Sequence, residues 1–276
     1  MGTTQLHISW PLPDGSAADI AMEPDCKKVS DMLADAHHMY RVSGNKKLSV
    51  LHVNPESKKR LSVSYSDDIP EIQIGQLPQN LYQTASMARD VMFLTLRPLL
   101  ESGQMYLMHG GLTVDTNGNG CIFCGPSGVG KSTAVAKAGK IWEILSDDLI
   151  YLSWYKDKLY AQPGPTWSSY LFNKERLADC DIRRIVEVKN VIILSRVNEF
   201  GIHKLTSNQA GLMLANSFIE MVSWHSELAL HDQEVTKNLR IKAFEGVWRT
   251  TENTPVYRLT SQADTDITAF LQTLCH

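Results

Sequence analysis

The stretch GCIFCGPSGVGKSTAVAKAGK, residues 120–140, changes character twice. A short apolar run ends at Cys124, a segment with glycine at 125, 128 and 130 follows, and a run of small residues and lysines begins at Lys131. A buried strand that feeds a tight glycine-rich turn and then a helix constrains the fold to an α/β arrangement, with the helix packed on the sheet that holds the strand. The glycines allow the backbone to curl with several N–H groups pointing inward, and the following helix adds its positive end. Gly125-x4-Gly130-Lys131-Ser132 fits the phosphate-binding pattern G-x-x-x-x-G-K-[ST]. On this pattern Gly125, Pro126, Ser127, Gly128, Val129, Gly130, Lys131, Ser132 and Thr133 form a nucleotide-phosphate site. Lys131 would meet the β- and γ-phosphates and the Ser132 hydroxyl would ligate Mg²⁺, so ATP with Mg²⁺ is the expected cofactor.

Two further features belong with this loop. Asp147 and Asp148 lie inside WEILSDDLIYL, which reads as one continuous strand. A carboxylate on a strand beside such a loop can hold Mg²⁺ or accept a proton from an attacking hydroxyl. Adjacent residues of a regular strand face opposite sides, so only one of the two would face the phosphates. Upstream, MYLMHGGLTVD and GCIFC flank TNGNG, whose Asn-Gly pairs between apolar runs predict a hairpin. With the turn near Gly118-Asn119, antiparallel pairing brings His109 back to about residue 128, the rim of the loop. A histidine there can orient an aspartate or contact a phosphate.

The rest of the chain sets the frame. Its 276 residues suffice for one large domain, or one large and one small. Residues 1–78 carry turn formers and short strand-like runs (KLSVLHV, RLSVSY, EIQI), with one helix expected near KKVSDMLADAHHMY. This predicts a small β-rich N-terminal region, with the phosphate-binding domain over residues 79–276. A helix over residues 78–103 has an apolar stripe of Leu81, Ala85, Ala88, Met92, Leu96 and Leu99, and Pro98 is expected to kink or end it. Strands are expected at KLYAQ, VKNVIILSRV and PVYRLT, helices near 208–226 and 231–247, and a closing helix capped by Asp264.

Composition excludes several classes. With 27 basic and 30 acidic residues, the net charge of −3 gives no basic excess of the kind nucleic-acid binders carry. The longest apolar run, VMFLTLRPLL, is too short to span a bilayer and holds Arg97 and Pro98, and MGTTQLHISW has no signal-peptide pattern. No nucleic acid and no membrane are therefore expected, and the location is read as cytoplasmic. Five irregularly spaced cysteines argue against a disulfide framework. Cys121 and Cys124 form a C-x-x-C, but on a strand they point to opposite faces and no second pair completes a zinc site. A GTPase is excluded because NKER at Asn173 has Arg176 where a guanine-binding aspartate would stand, and no ABC-type signature is present.

His109-Gly110, DTNGNG, GPSGVGKS and SDD, in that order, resemble the catalytic domain of HPr kinase/phosphorylase over roughly residues 104–155. The resemblance implies a mixed β-sheet with helices packed against it, related to phosphoenolpyruvate carboxykinase. It also implies roles: Lys131 on phosphate, Ser132 on Mg²⁺, Asp147 as the general base for a serine hydroxyl, His109 beside it, and Asp148 supporting metal or base. Thr133 replaces the acidic residue that HPr kinases usually carry, and their downstream glycine-rich signature is absent. AQPGPTWSSYL and the long helices after it look closer to the HPr-kinase-like proteins of peptide-modification gene cassettes, nearest to that of the SynChlorMet cassette. The implied activity is a kinase acting on a Ser or Thr hydroxyl of a peptide or protein, with a homo-oligomer admitted. A small-molecule kinase and a nucleotide-binding module without transfer are the alternatives. Trp167, Ser168 and Ser169 read equally as an acceptor wall or a packed turn. Arg183 and Arg184 read as a solvated pair, and Trp224 and His225 as packing.

Overall fold

Short runs of β-formers open the chain as five strands: β1 (Leu6–Pro11), β2 (Ala17–Met22), β3 (Lys47–Val53), β4 (Leu61–Ser66) and β5 (Ile69–Ile74). They form one mixed sheet in the order β1-β2-β3-β5-β4, with β2, β3 and β5 parallel and the two edge strands antiparallel. In EIQI, Ile72 and Ile74 are fully buried while Glu71 and Gln73 are half-buried, the alternation of a strand with one core face. The computed structural model describes residues 6–15, 17–22, 47–53, 61–66, 69–76, 79, 81–164, 184–196, 199–226, 233–260 and 266–274. The expected helix at KKVSDMLADAHHMY and the Asp264 cap lie outside these residues.

The chain divides into two units, with the boundary between Pro98 and Leu99 inside α1 (Leu81–Glu101). The expected stripe is buried at Met92, Leu96 and Leu99, but so are Val91, Phe93, Leu94 and Thr95 between them, so burial over residues 91–97 is not confined to one stripe. Pro98 does not end it at once. Sitting near the C-terminus, it removes a single hydrogen bond, and the helix runs on to Glu101 before Gly103, at φ +71°, closes it.

The second unit is built around β6 (Met105–Val114), every residue of which is buried. The sheet continues with β7 (Gly120–Cys124), β8 (Glu143–Ser146), β9 (Leu149–Tyr155), β10 (Lys158–Pro163), β11 (Val186–Ser195), β12 (Gly201–Lys204) and β13 (Val256–Thr260). Its order is β10-β9-β6-β7-β11-β13-β12, with β8 also on β6. β7, β11 and β13 run parallel, and the other pairings are antiparallel. The helices are α2 (Lys131–Ala138), α3 (Ser207–Ser226), α4 (Gln233–Asn253) and α5 (Thr268–Thr273). The fold is therefore the expected mixed α/β one, a large mixed sheet with packed helices and a small β-rich N-terminal sheet.

The short strand GIHK at β12 was not anticipated. It is polar and half-exposed because it is an edge strand, held by β13 alone.

Alternation along β7 sets the two faces of the sheet. Cys121 and Phe123 join Ala134, Val135 and Ala138 of α2, Ile192 and Leu194 of β11, and Ile267 and Leu271 at α5 in one apolar cluster. Each fully buried side chain of the Ile, Leu or Phe type contributes about 1.5–3 kcal/mol. Cys124 points the other way, its thiol donating to Ile192 O at 3.7 Å. The C-x-x-C is therefore two buried thiols that form no disulfide, and burial pushes the Cys124 thiol up to about 12, which keeps it protonated and inert.

Candidate functional site

Three local devices bring the predicted residues together beside the middle of β6, where its pairing passes from β9 to β7. The first is the β6–β7 hairpin. Asp115 organises its turn, its carboxylate accepting from the N–H groups of Asn117 and Asn119 at 2.8 Å each and from the Asn119 amide at 3.1 Å. The resulting register pairs Gly110 with Cys124 and Val114 with Gly120. His109 is thus one step beyond the last pair, level with Gly125, where β7 leaves the sheet. The sequence placed it three residues further along, because the turn was centred on Gly118-Asn119 and not on the Asp115–Asn119 loop.

The second device is the glycine-rich loop. Gly125, Gly128 and Gly130 all have positive φ, at +141°, +74° and +105°. A side chain at Gly125 would sit 2.8 Å from Leu194 O, whereas nothing lies within 4 Å of where one would be at Gly128 or Gly130. Pro126, Ser127 and Gly128 form an exposed crest. The Lys131 ammonium is buried beneath it and donates to Gly125 O at 3.0 Å and Pro126 O at 3.2 Å. Burial is the main influence on Lys131 and leaves its pKa below the usual lysine value, with Glu220, Cys124 and Asp148 offsetting part of the effect. Ser132 and Thr133 are exposed on the first turn of α2.

The third device is a bend. WEILSDDLIYL is not one strand: β8 ends at Ser146 and β9 starts at Leu149, with Asp147 and Asp148 between them. The Ser146 hydroxyl competes with the ladder. It donates to Leu149 O at 2.8 Å and accepts from Asp148 N–H at 3.4 Å, which closes the bend. Gly110 N–H donates to Asp148 O at 2.9 Å and ties the bend to β6. Gly111 is required here, since a Cβ on it would meet Val135 Cγ2 at 2.3 Å and Ser146 O at 3.1 Å. The opposite-faces argument for the two aspartates therefore does not apply. Asp147 is 4% exposed, while the Asp148 side chain keeps 22%.

His109 meets Asp148: its Nε2 lies 3.3 Å from Asp148 Oδ1. On the other side of the ring, Nδ1 donates to Glu220 Oε2 at 2.9 Å. Burial is the largest single influence on this imidazole and lowers its pKa. The hydrogen bonds to Asp148 and Glu220 outweigh it, so the pKa ends above the usual histidine value. Glu220 was not foreseen. It lies on α3 beside the buried stripe Leu214, Ser217, Phe218, Met221 and Val222, 111 residues from its partner. The one local signal was an acidic residue within the apolar FIEMV, and nothing in the sequence named what it meets.

Lys131, His109, Asp148 and Glu220 thus gather where β7 gives way to the loop. Asp147 is next to them in the chain, and Ser132 begins the adjacent helix. Among the described residues, no group of three His, Cys, Asp or Glu side chains is arranged to hold a metal. A Mg²⁺ bound with a nucleotide takes one or two protein oxygens and the phosphates, not a cage. The loop residues Pro165, Trp167, Ser168 and Ser169, Arg183, and the side chains of Trp224 and His225 lie outside the described residues.

The fold and these side chains define a mixed α/β protein in which a strand–glycine-rich loop–helix unit meets an acidic bend. Residues 79–268 match the family of SynChlorMet cassette protein ScmC, and the chain belongs to that family. Among solved structures, the HPr(Ser) kinase/phosphatase from Coxiella burnetii is similar at 12% identity, covering 61% of this chain and 93% of that one with a TM-score of 0.30. No curated protein matches. No helix of the described residues is long and apolar enough to cross a membrane.

Proposed function

We propose that this chain is an ATP- and Mg²⁺-dependent kinase that phosphorylates a Ser or Thr hydroxyl of a peptide or protein. The observation that carries the reading is the convergence of the Lys131 loop with the His109–Asp148 pair beside the middle of β6. The loop fits a triphosphate. Its three positive-φ glycines leave open space over Gly128 and Gly130, and its lysine donates to two carbonyls of the loop itself. Gly125, Pro126, Ser127, Gly128, Val129, Gly130 and Thr133 would line the phosphates, with Lys131 on the terminal ones. Ser132 and one carboxylate of the acidic pair would hold Mg²⁺. Bound Mg²⁺–ATP supplies the phosphoryl group and the charge neutralisation.

The chain supplies position and a base. The sequence resemblance gives the base to Asp147, with Asp148 in support. The contact with His109 favours exchanging the two, because Asp148 is partly exposed whereas Asp147 is buried. Asp148 then accepts the hydroxyl proton, and Asp147 is the second carboxylate. The test is incubation with Mg²⁺–ATP and peptides bearing Ser or Thr, read by mass spectrometry. A peptide heavier by one phosphoryl group, with matching ADP, is expected. ATP binding without transfer would instead identify a non-catalytic nucleotide-binding module. Transfer to small hydroxyl compounds alone would identify a small-molecule kinase.

A further inference from the structure

We propose that Glu220 is a positioning residue of this site: its carboxylate anchors the Nδ1 edge of His109 and thereby fixes the Nε2 edge of the same ring on Asp148. The role rests on the kinase reading above. An imidazole has two nitrogens on opposite edges, so a bond to one sets the direction of the other. Here Nδ1 is held at 2.9 Å by a helix and Nε2 lies 3.3 Å from the acidic bend. Those two elements are far apart in sequence, and the ring links them. α3 is a firm mount for the anchor, because Leu214, Phe218, Met221 and Val222 bury its inner face and leave the Glu220 carboxylate 25% exposed at the rim. Without Glu220 the ring loses the anchor on its Nδ1 edge, and the Nε2 edge is held less firmly on Asp148. Partners of this indirect kind typically change activity by about 10–100-fold.

The test compares wild type, Glu220→Gln and Glu220→Ala in phosphoryl transfer at saturating Mg²⁺–ATP. ATP affinity by calorimetry and the ring-nitrogen NMR signals of His109 are measured on the same samples. Glu220→Ala is expected to lower kcat about 10–100-fold while ATP affinity changes by less than about threefold. Glu220→Gln keeps an oxygen acceptor and should restore at least part of kcat, with a displaced Nδ1 signal. Normal kcat in Glu220→Ala, or a His109 Nδ1 signal that neither substitution moves, would overturn the role while leaving the kinase reading standing. Equal loss of ATP binding and turnover in both variants would also overturn it, as that is the mark of a merely structural glutamate. No transfer by the wild-type chain would overturn the kinase reading, and this role with it.

Discussion

Two turns with glycine at positive φ bracket β7, and they are built to opposite ends. The turn before it, residues 115–119, is closed by its own side chain. Asp115 takes three hydrogen bonds within the loop, and backbone bonds from Gly118 to Asp115 O and from Asp115 to Asn119 O complete it. The turn after it, residues 125–130, has one internal backbone bond, Val129 N–H to Pro126 O at 3.2 Å, among the described residues. Two of its carbonyls are held by the Lys131 ammonium. The first turn satisfies its polar groups and sets a register. The second leaves them to a cation that can change partners. A glycine at positive φ therefore does not by itself tell the two turns apart, and the destination of the polar groups does.

Substitutions at the two turns separate these roles. Among substitutions at the two turns and their flanks, the largest effect is expected at Lys131→Ala, which should reduce transfer by about 10²–10³-fold and weaken Mg²⁺–ATP binding, measured by calorimetry. Asp115→Ala should do the reverse, lowering stability by about 1 kcal/mol in urea melts while ATP affinity is kept. A matched pair sharpens the contrast. Gly118 and Gly128 have φ of +83° and +74°, and nothing lies within 4 Å of a Cβ at either. Alanine should therefore cost each about 1–2 kcal/mol through backbone strain alone. Only Gly128→Ala should also weaken ATP binding. Equal ATP affinity in the two variants would erase the distinction between the loops.

The smallest effect concerns pH. His109 has a folded pKa above its unfolded value of 6.5. Its pairing with Asp148 and Glu220 therefore stabilises the fold fully below about pH 6.5, and that contribution is lost as pH rises through the raised pKa. The difference in Tm between wild type and His109→Gln should shrink over that interval. A difference that grows with pH would contradict the ion-pair geometry.

What the sequence disclosed follows the same division between local and distant. The hairpin, the loop and α2 were legible because strand period, Asn-Gly turn chemistry and the glycine spacing all lie within thirty residues of one another. The bend at Asp147–Asp148 was not, because apolar runs on both sides read as one strand and the Ser146 hydroxyl that breaks it gives no periodic signal. Glu220 was hidden for a different reason: its partner is set by how α3 docks on β6, a tertiary fact with no local trace. β1 and β2 were missed because LHISWP and AADIAM carry proline and alanine, which strands disfavour, and only pairing makes them strands.

In the proposed kinase, Asp148 beside the Lys131 loop is the group that makes the site a phosphoryl-transfer centre. The most direct measurement is transfer of labelled γ-phosphate to Ser- or Thr-bearing peptides by wild type, Asp147→Asn and Asp148→Asn, with ATP affinity measured in parallel. Wild type should transfer, and Asp148→Asn should bind ATP normally while losing about 10²–10⁴-fold in rate, more than Asp147→Asn. Undiminished transfer in Asp148→Asn, or no transfer by a wild-type chain that binds ATP, would contradict it.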